Sequence, residues 1–283
     1  MYTRRLLTNR IMMGFAVLCT VVGVFFLFWV LKDLIVQGVR FVNLRVFLHD
    51  TPGPDATEGG GLRNALVGSM LLTFWCMAFS IPIGVLAGTW LSEYGKKGKI
   101  AGLVRFVNQV LLSAPSIVLG VFIYSMMVYP RGLFTLGGFS GWAGAVALGL
   151  IAVPKMVVTT ESMLDLIPDP MREAAFALGA PKSRVILNVT YRAALAGIVT
   201  GVLLSFAQVV GETAPLLFTS LGNQFFSTNM WRPIAALPPV IFSFALSPYE
   251  RWKQLAWAGA FLIAVVVLGL NILVRSTLKQ SKS

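Results

Sequence analysis

Apolar runs of about 20 residues recur along this chain, each bounded by polar or basic loops, and this repetition limits the fold more than any other feature. A bilayer core about 30 Å thick takes roughly 20 helical residues to cross. Inside it, every backbone N–H and C=O needs a partner within the protein, which helices supply from their own turns. The chain is therefore expected to be all-α and polytopic. A soluble fold would have to bury more apolar residue than one core holds, since 57% of the 283 residues are hydrophobic and 12% charged, with a mean hydropathy of +0.79.

Six spans are read, at about 11–31, 65–91, 104–129, 142–158, 193–218 and 256–274. They form one transmembrane domain, 11–274, between an N-terminal segment 1–10 and a tail 275–283. The first run follows Arg4, Arg5 and Arg10, is too long for a signal-peptide core and lacks a small-residue cleavage site, so it is expected to stay in place. Lys32 to Arg63 reads as an exposed polar loop, its TPGPDATEGGGLRN end too rich in Pro and Gly for a regular helix. Pro115 in the SAPS stretch is expected to kink the third span. The apolar VIFSFAL piece in 221–253 is too short to cross a bilayer and reads as interfacial or re-entrant, and Trp231, Trp252 and Trp257 suit a headgroup-level belt. Cys19 and Cys76 lie inside apolar runs, with no disulfide or metal-ligand spacing.

The net charge of +12 need not imply nucleic acid, because Lys and Arg in short loops set orientation by themselves. An even number of spans puts both termini on one side. The termini, the Lys96 loop and the Lys155 to Arg192 loop hold most of the 23 Lys and Arg, so these should face the cytoplasm.

Gly197, Gly201, Ser205, Gln208 and Glu212 fall at steps of four, four, three and four, which puts them on one face of the fifth span. The other faces are apolar, so this small-and-polar stripe should meet neighbouring helices or water. Gly197 and Gly201 suit close helix packing. Ser205, Gln208 and Glu212 are candidates for a translocation pathway. Glu212 either faces the bundle interior or a wet cavity, or lies near enough to the far membrane surface to be solvated. Pro215, four residues after Gly211, predicts a bend beside Glu212.

The stretch 161–192 is polar yet patterned like folded structure. Asp169 is placed to cap a short helix that begins at Pro170, with Glu173 in its first turn, and Gly179 ends it before Pro181 starts another. The result is either a rigid knob or an ordinary amphipathic connector.

EAAFALG, at Glu173 to Gly179, resembles the EAA loop of ABC importer permeases, the cytoplasmic element that docks on the ATPase subunit. GETAPLLFTSLG at Gly211 to Gly222 and TPGPDATEGGGLRNALVGSMLL at Thr51 to Leu72 are similar to the phosphate-specific members of those permeases. The resemblance covers nearly the whole chain. It implies one half of a heterodimeric channel in an ATP-driven phosphate importer of a bacterial plasma (inner) membrane. Its partners would be a second homologous permease, two ATPase subunits docked on the EAA loops, an extracytoplasmic phosphate-binding protein and the lipid bilayer, with no nucleic acid. It further implies that Glu173, Ala174, Ala175 and Gly179 belong to the ATPase contact. No cofactor is expected in this chain, ATP and magnesium belonging to the ATPase.

Two places depart from the family pattern. Where it has I-x-L-P nine residues after the Gly, this chain has Val189, Thr190, Tyr191 and Arg192. Where it has an Arg three residues before GETAPLL, this chain has Gln208, so the basic group is expected from the partner permease.

An intramembrane enzyme would need titratable groups clustered at membrane depth, whereas the sole histidine, His49, lies in a loop and Glu161 and Glu212 are on different spans. A scaffold accounts for the spans but not for the knob or the stripe. A permease for sulfate or molybdate is the alternative within transporters, because substrate choice would rest largely on the delivery protein.

Overall fold

A computed structural model describes residues 2–54, 60–95 and 98–280. Lys96, Lys97, Lys282 and residues 55–59 of the Pro- and Gly-rich loop lie outside the described residues. The described secondary structure is helical, and five helices are long and apolar enough to cross a membrane. A pair of shorter helices joined at a sharp bend makes a sixth span when the two are counted as one.

α1, Tyr2–Phe41, is nearly twice the length of the run 11–31, because nothing breaks the helix before Asn43. At 1.5 Å per residue it is about 60 Å long. Its apolar window is entirely unburied within the chain, and near its end Gly38 lets α12, Glu250–Gln280, approach through Phe261. The expected loop from Lys32 is thus helical as far as Phe41 and again in α2, Leu44–Leu48, where the Asn43 side chain accepts from the Val46 N–H at 3.2 Å.

α3, Arg63–Glu93, and α6, Gly141–Asp165, form the centre of the bundle. Of α6's apolar window 61% is buried, against 33% for α3, so α6 is the span the others surround. Small residues make this possible. A Cβ at Gly88 would lie 2.6 Å from the Val157 carbonyl oxygen, and Gly84 meets Met156 just as closely. Leu72, Cys76, Leu148, Ala152, Met156 and Val209 fill the resulting core. α6 passes the expected end at 158 and takes in residues through Asp165, since Pro154 is accommodated within the helix, where the Asn108 amide donates to its carbonyl at 3.1 Å.

The third span is broken rather than kinked. α4, Lys99–Ser113, and α5, Ser116–Ile123, which runs on into a π-turn at Tyr124–Val128, meet at 106°. Proline disfavours helix at the residue before it as well as removing its own N–H. Ala114 and Pro115 accordingly both leave the helical region, with ψ of 134° and 136°.

At the knob, α7, Asp169–Ala177, and α8, Lys182–Val185, flank the Gly179 turn. α8 continues without interruption through a π-turn, Ile186–Thr190, into α9, Tyr191–Gly211. With Tyr191 and Arg192 in place of a proline, nothing stops the helix, and Tyr191 Oη sits 2.7 Å from Thr89 Oγ1 on α3.

The bend expected beside Glu212 is a termination. α9 stops at Gly211, Glu212 is extended with ψ of 128°, and α10, Ala214–Thr219, begins afresh. Pro215 lies in its first turn, where its missing N–H costs no hydrogen bond. α11, Leu237–Ala245, is the short apolar piece, and it packs on α12 with Trp252 stacked on Phe244 at 4.5 Å between ring centres.

At the end of the bundle away from the knob, Asn64 is 2% exposed. It accepts from the Thr51 N–H at 3.1 Å and donates to Thr51 Oγ1 at 2.9 Å and to the Asn223 carbonyl at 2.7 Å. Beside it Arg63 pairs with Asp50 at 2.9 Å, with its guanidinium carbon 4.8 Å from the centre of the Phe226 ring. These contacts fasten the connection after α1 to that after α10.

Candidate functional site

The knob is anchored through Arg172. Its guanidinium reaches Glu93 Oε1 at the end of α3 at 3.1 Å, the Leu164 carbonyl at the end of α6 at 2.7 Å and the Ile167 carbonyl at 2.5 Å. Asp169, which the sequence placed as a cap, is instead the first residue of α7 and sits 3.2 Å from the same guanidinium. Pro168 holds the cap position, because its extended backbone already releases the chain from the helix. Lys182 closes the other side, donating to the Glu93 carbonyl at 2.6 Å with its ammonium 3.8 Å from the centre of the Tyr94 ring. Arg105 pairs with Glu161 at 2.7 Å, and Ser92 donates to Asp165 at 2.5 Å.

The turn of the knob forms by local chemistry. Gly179 has φ of +78°, its N–H donates to the Phe176 carbonyl at 2.9 Å, and the Ala180 N–H reaches back to the Ala175 carbonyl at 3.2 Å. This paired arrangement satisfies the last carbonyls of α7 and needs a residue free to adopt positive φ. With the base fixed, the tip is bare: Glu173, Ala174 and Gly179 are exposed, Ala175 is half-buried and Leu178 is 89% exposed.

The α9 stripe faces a matching stripe on α6. Gly197 meets Met163, Gly201 meets Thr159, and Gln208 Oε1 accepts from Lys155 Nζ at 2.5 Å. Met163, Thr159 and Lys155 are themselves four residues apart, so two antiparallel helices touch residue by residue. Ser205 is 1% exposed, its Oγ without a hydrogen-bond partner, and it lies inside this seam rather than on open space. Gln208 and Glu212 line a cavity of about 240 Å³ together with Lys155, Ala114, Ser116 and Leu119. Gly211 has nothing within 4 Å of a Cβ position, and Pro215 packs on Gly120 of α5. Both helix breaks therefore open onto one cavity. Among the described residues no three His, Cys, Asp or Glu side chains come together as metal ligands.

Glu93, Lys155, Arg172 and Leu178 are among the residues of these sites not singled out from the sequence. A signal existed for two of these four. Lys155 is a cation within an apolar run, in step with Thr159 and Met163, and Arg172 stands three residues after Asp169. Glu93 carries no signal, since its partner is 79 residues distant.

Residues 80–279 match the family described as binding-protein-dependent transport system inner membrane component. The chain belongs to that family. Like other binding-protein-dependent transport system inner membrane components, it is a multi-pass inner-membrane protein. It is 49% identical over 274 residues to the phosphate transport system permease protein PstA of Yersinia pestis, covering 97% of this chain and 91% of that one. The PstA of Pasteurella multocida is 50% identical over 271 residues, covering 96% and 94%. Among solved structures, a bacterial alginate ABC transporter in complex with an alginate pentasaccharide-bound periplasmic protein matches 94% of this chain and 93% of its own at a TM-score of 0.69 and 12% identity, a likeness of fold alone.

Proposed function

We propose that this chain is the membrane-spanning permease subunit of an ATP-driven importer for inorganic phosphate. The observation that carries this reading is the near full-length identity, about half of all positions, to permeases named for phosphate transport. A second, homologous permease completes the channel, two ATPase subunits dock on the knobs, and an extracytoplasmic phosphate-binding protein delivers the substrate. Both termini face the cytoplasm, on the side of the knob. ATP and magnesium are bound by the ATPase, and this chain performs no hydrolysis.

The geometry supports a division of labour. Glu173, Ala174, Ala175 and Gly179 offer an exposed surface whose base is tied by Arg172 to α3 and α6, so a push on the tip reaches the central helix pair as a rigid-body displacement. Gln208 and Glu212 belong to the pathway, with Gly197 and Gly201 setting the α6–α9 contact and Gly211 and Pro215 the helix break. The test is ATP-dependent uptake of labelled phosphate, with sulfate as competitor, into vesicles holding the complete complex, for wild type and Glu173→Lys. Uptake that ignores sulfate and fails in the variant supports both substrate and coupling. An assembled complex that takes up no phosphate sinks the phosphate assignment.

A further inference from the structure

Lys155 is the residue whose surroundings call for a ligand. It projects from the central helix α6 into the cavity where the break between α4 and α5 meets the break between α9 and α10. Interrupted membrane helices of this kind typically flank solute sites in transporters, because unwound backbone is tolerated only where it lines a cavity. The ammonium's hydrogen-bond partner is the neutral Gln208 amide, and among the described residues no carboxylate lies within ion-pair distance of it. A cation at span depth that no anion neutralises is expensive and marks a functional site. Gln208 in turn places its Nε2 3.5 Å from Glu212 Oε1, so the amide separates one positive from one negative group. The space beside them, about 240 Å³, equals the liquid volume of roughly eight waters at ~30 Å³ each, enough for a hydrated tetrahedral oxyanion.

The pairing of charges is selective. An ammonium has three donors, of which Gln208 takes one, leaving two for anionic oxygens. An ionised carboxylate is acceptor-only, so it repels an oxyanion with no proton and accepts a hydrogen bond from one that has a hydroxyl. At neutral pH inorganic phosphate keeps at least one proton and sulfate keeps none. We propose that Lys155 and Glu212, held one amide apart by Gln208, form a contact site for a protonated oxyanion, Lys155 donating to an anionic oxygen and Glu212 accepting from the P–OH. This rests on the phosphate reading above and deepens it. It also replaces the expectation that the basic group comes from the partner permease, because this chain provides its own.

The experiment uses the complete importer in nanodiscs without binding protein, reading line broadening of the phosphorus resonance of inorganic phosphate, with sulfate as competitor. The same complexes, reconstituted with binding protein, are assayed for ATP-driven phosphate uptake. Wild type should broaden the resonance and keep doing so in excess sulfate. Lys155→Met should weaken broadening and cut uptake at least tenfold in a complex that still co-purifies whole, with Lys155→Arg recovering part of both. Glu212→Gln should keep the broadening but let sulfate suppress it. Lys155→Met complexes that bind and transport like wild type, or Glu212→Gln complexes that still ignore sulfate, overturn the site. An assembled wild type with no phosphate uptake instead overturns the phosphate reading itself.

Discussion

Arg172 and Glu93 are joined at 3.1 Å with only 9% and 7% of their side chains exposed, and they connect two segments 79 residues apart. Withdrawing a charge this far from solvent is tolerable only with a full set of partners, which the Leu164 and Ile167 carbonyls complete. Removing one member of a buried pair typically costs about 3–5 kcal/mol, while replacing both by apolar residues of like size is often near neutral. Glu93→Leu and Arg172→Met should each lower the thermal midpoint of the solubilised complex markedly, and the double variant by less than their sum. In the single variants ATP hydrolysis should persist while uptake falls, the mark of a knob that docks but no longer pulls on α3.

Leu178 leads to the opposite expectation. It is 89% exposed at the tip of the knob, so Leu178→Asp should leave the thermal midpoint of the isolated chain within about 0.5 kcal/mol equivalent, as surface changes usually do. Co-purification of the ATPase should nevertheless drop severalfold. Retained ATPase with normal uptake would remove the tip from the docking surface.

Gly179 has φ of +78°, a region that costs a residue with a Cβ about 1–2 kcal/mol. Gly179→Ala should make the 178–182 turn more susceptible to limited proteolysis and reduce uptake, whereas Gly179→Asn, which tolerates this conformation better, should do so less.

Gly201 sits where a Cβ would run into the Thr159 side chain. Gly201→Val should therefore spread α6 from α9 and destabilise by about 1–3 kcal/mol, the usual range for overpacking. Adding Thr159→Ala should recover part of the loss, read as thermal midpoint and yield of assembled complex. No recovery would place the damage elsewhere.

The same contacts explain what the sequence could and could not disclose. The spacing of Gly197, Gly201, Ser205 and Gln208 identifies one helix face because helical periodicity is local, although Glu212 lies just past the helix end, and the Gly179 turn is legible for the same reason. Pro115 and Pro215 mark the right places, but whether a proline kinks, breaks or starts a helix depends on what packs nearby. α6 runs on past Pro154 and α3 past Pro82, whereas at Pro115 the chain leaves the helical region. The lengths of α1 and α12 were underestimated because hydropathy registers where lipid would be, not where hydrogen bonding ends. The Lys155–Gln208 and Arg172–Glu93 pairs were invisible for a plainer reason: 53 and 79 residues of chain separate their members.

The meeting of two broken helices at one cavity also bears on the membrane potential. A wet cavity within a membrane bundle shortens the insulating path, so the voltage drop concentrates across what remains. An anion entering a negatively charged interior works against about 2.3 kcal/mol per charge for each 100 mV, so a doubly charged ion meets about twice that. For the site proposed at Lys155 this sets the expectation that uptake through it grows harder as the interior becomes more negative, a dependence that ATP-driven motion would have to offset.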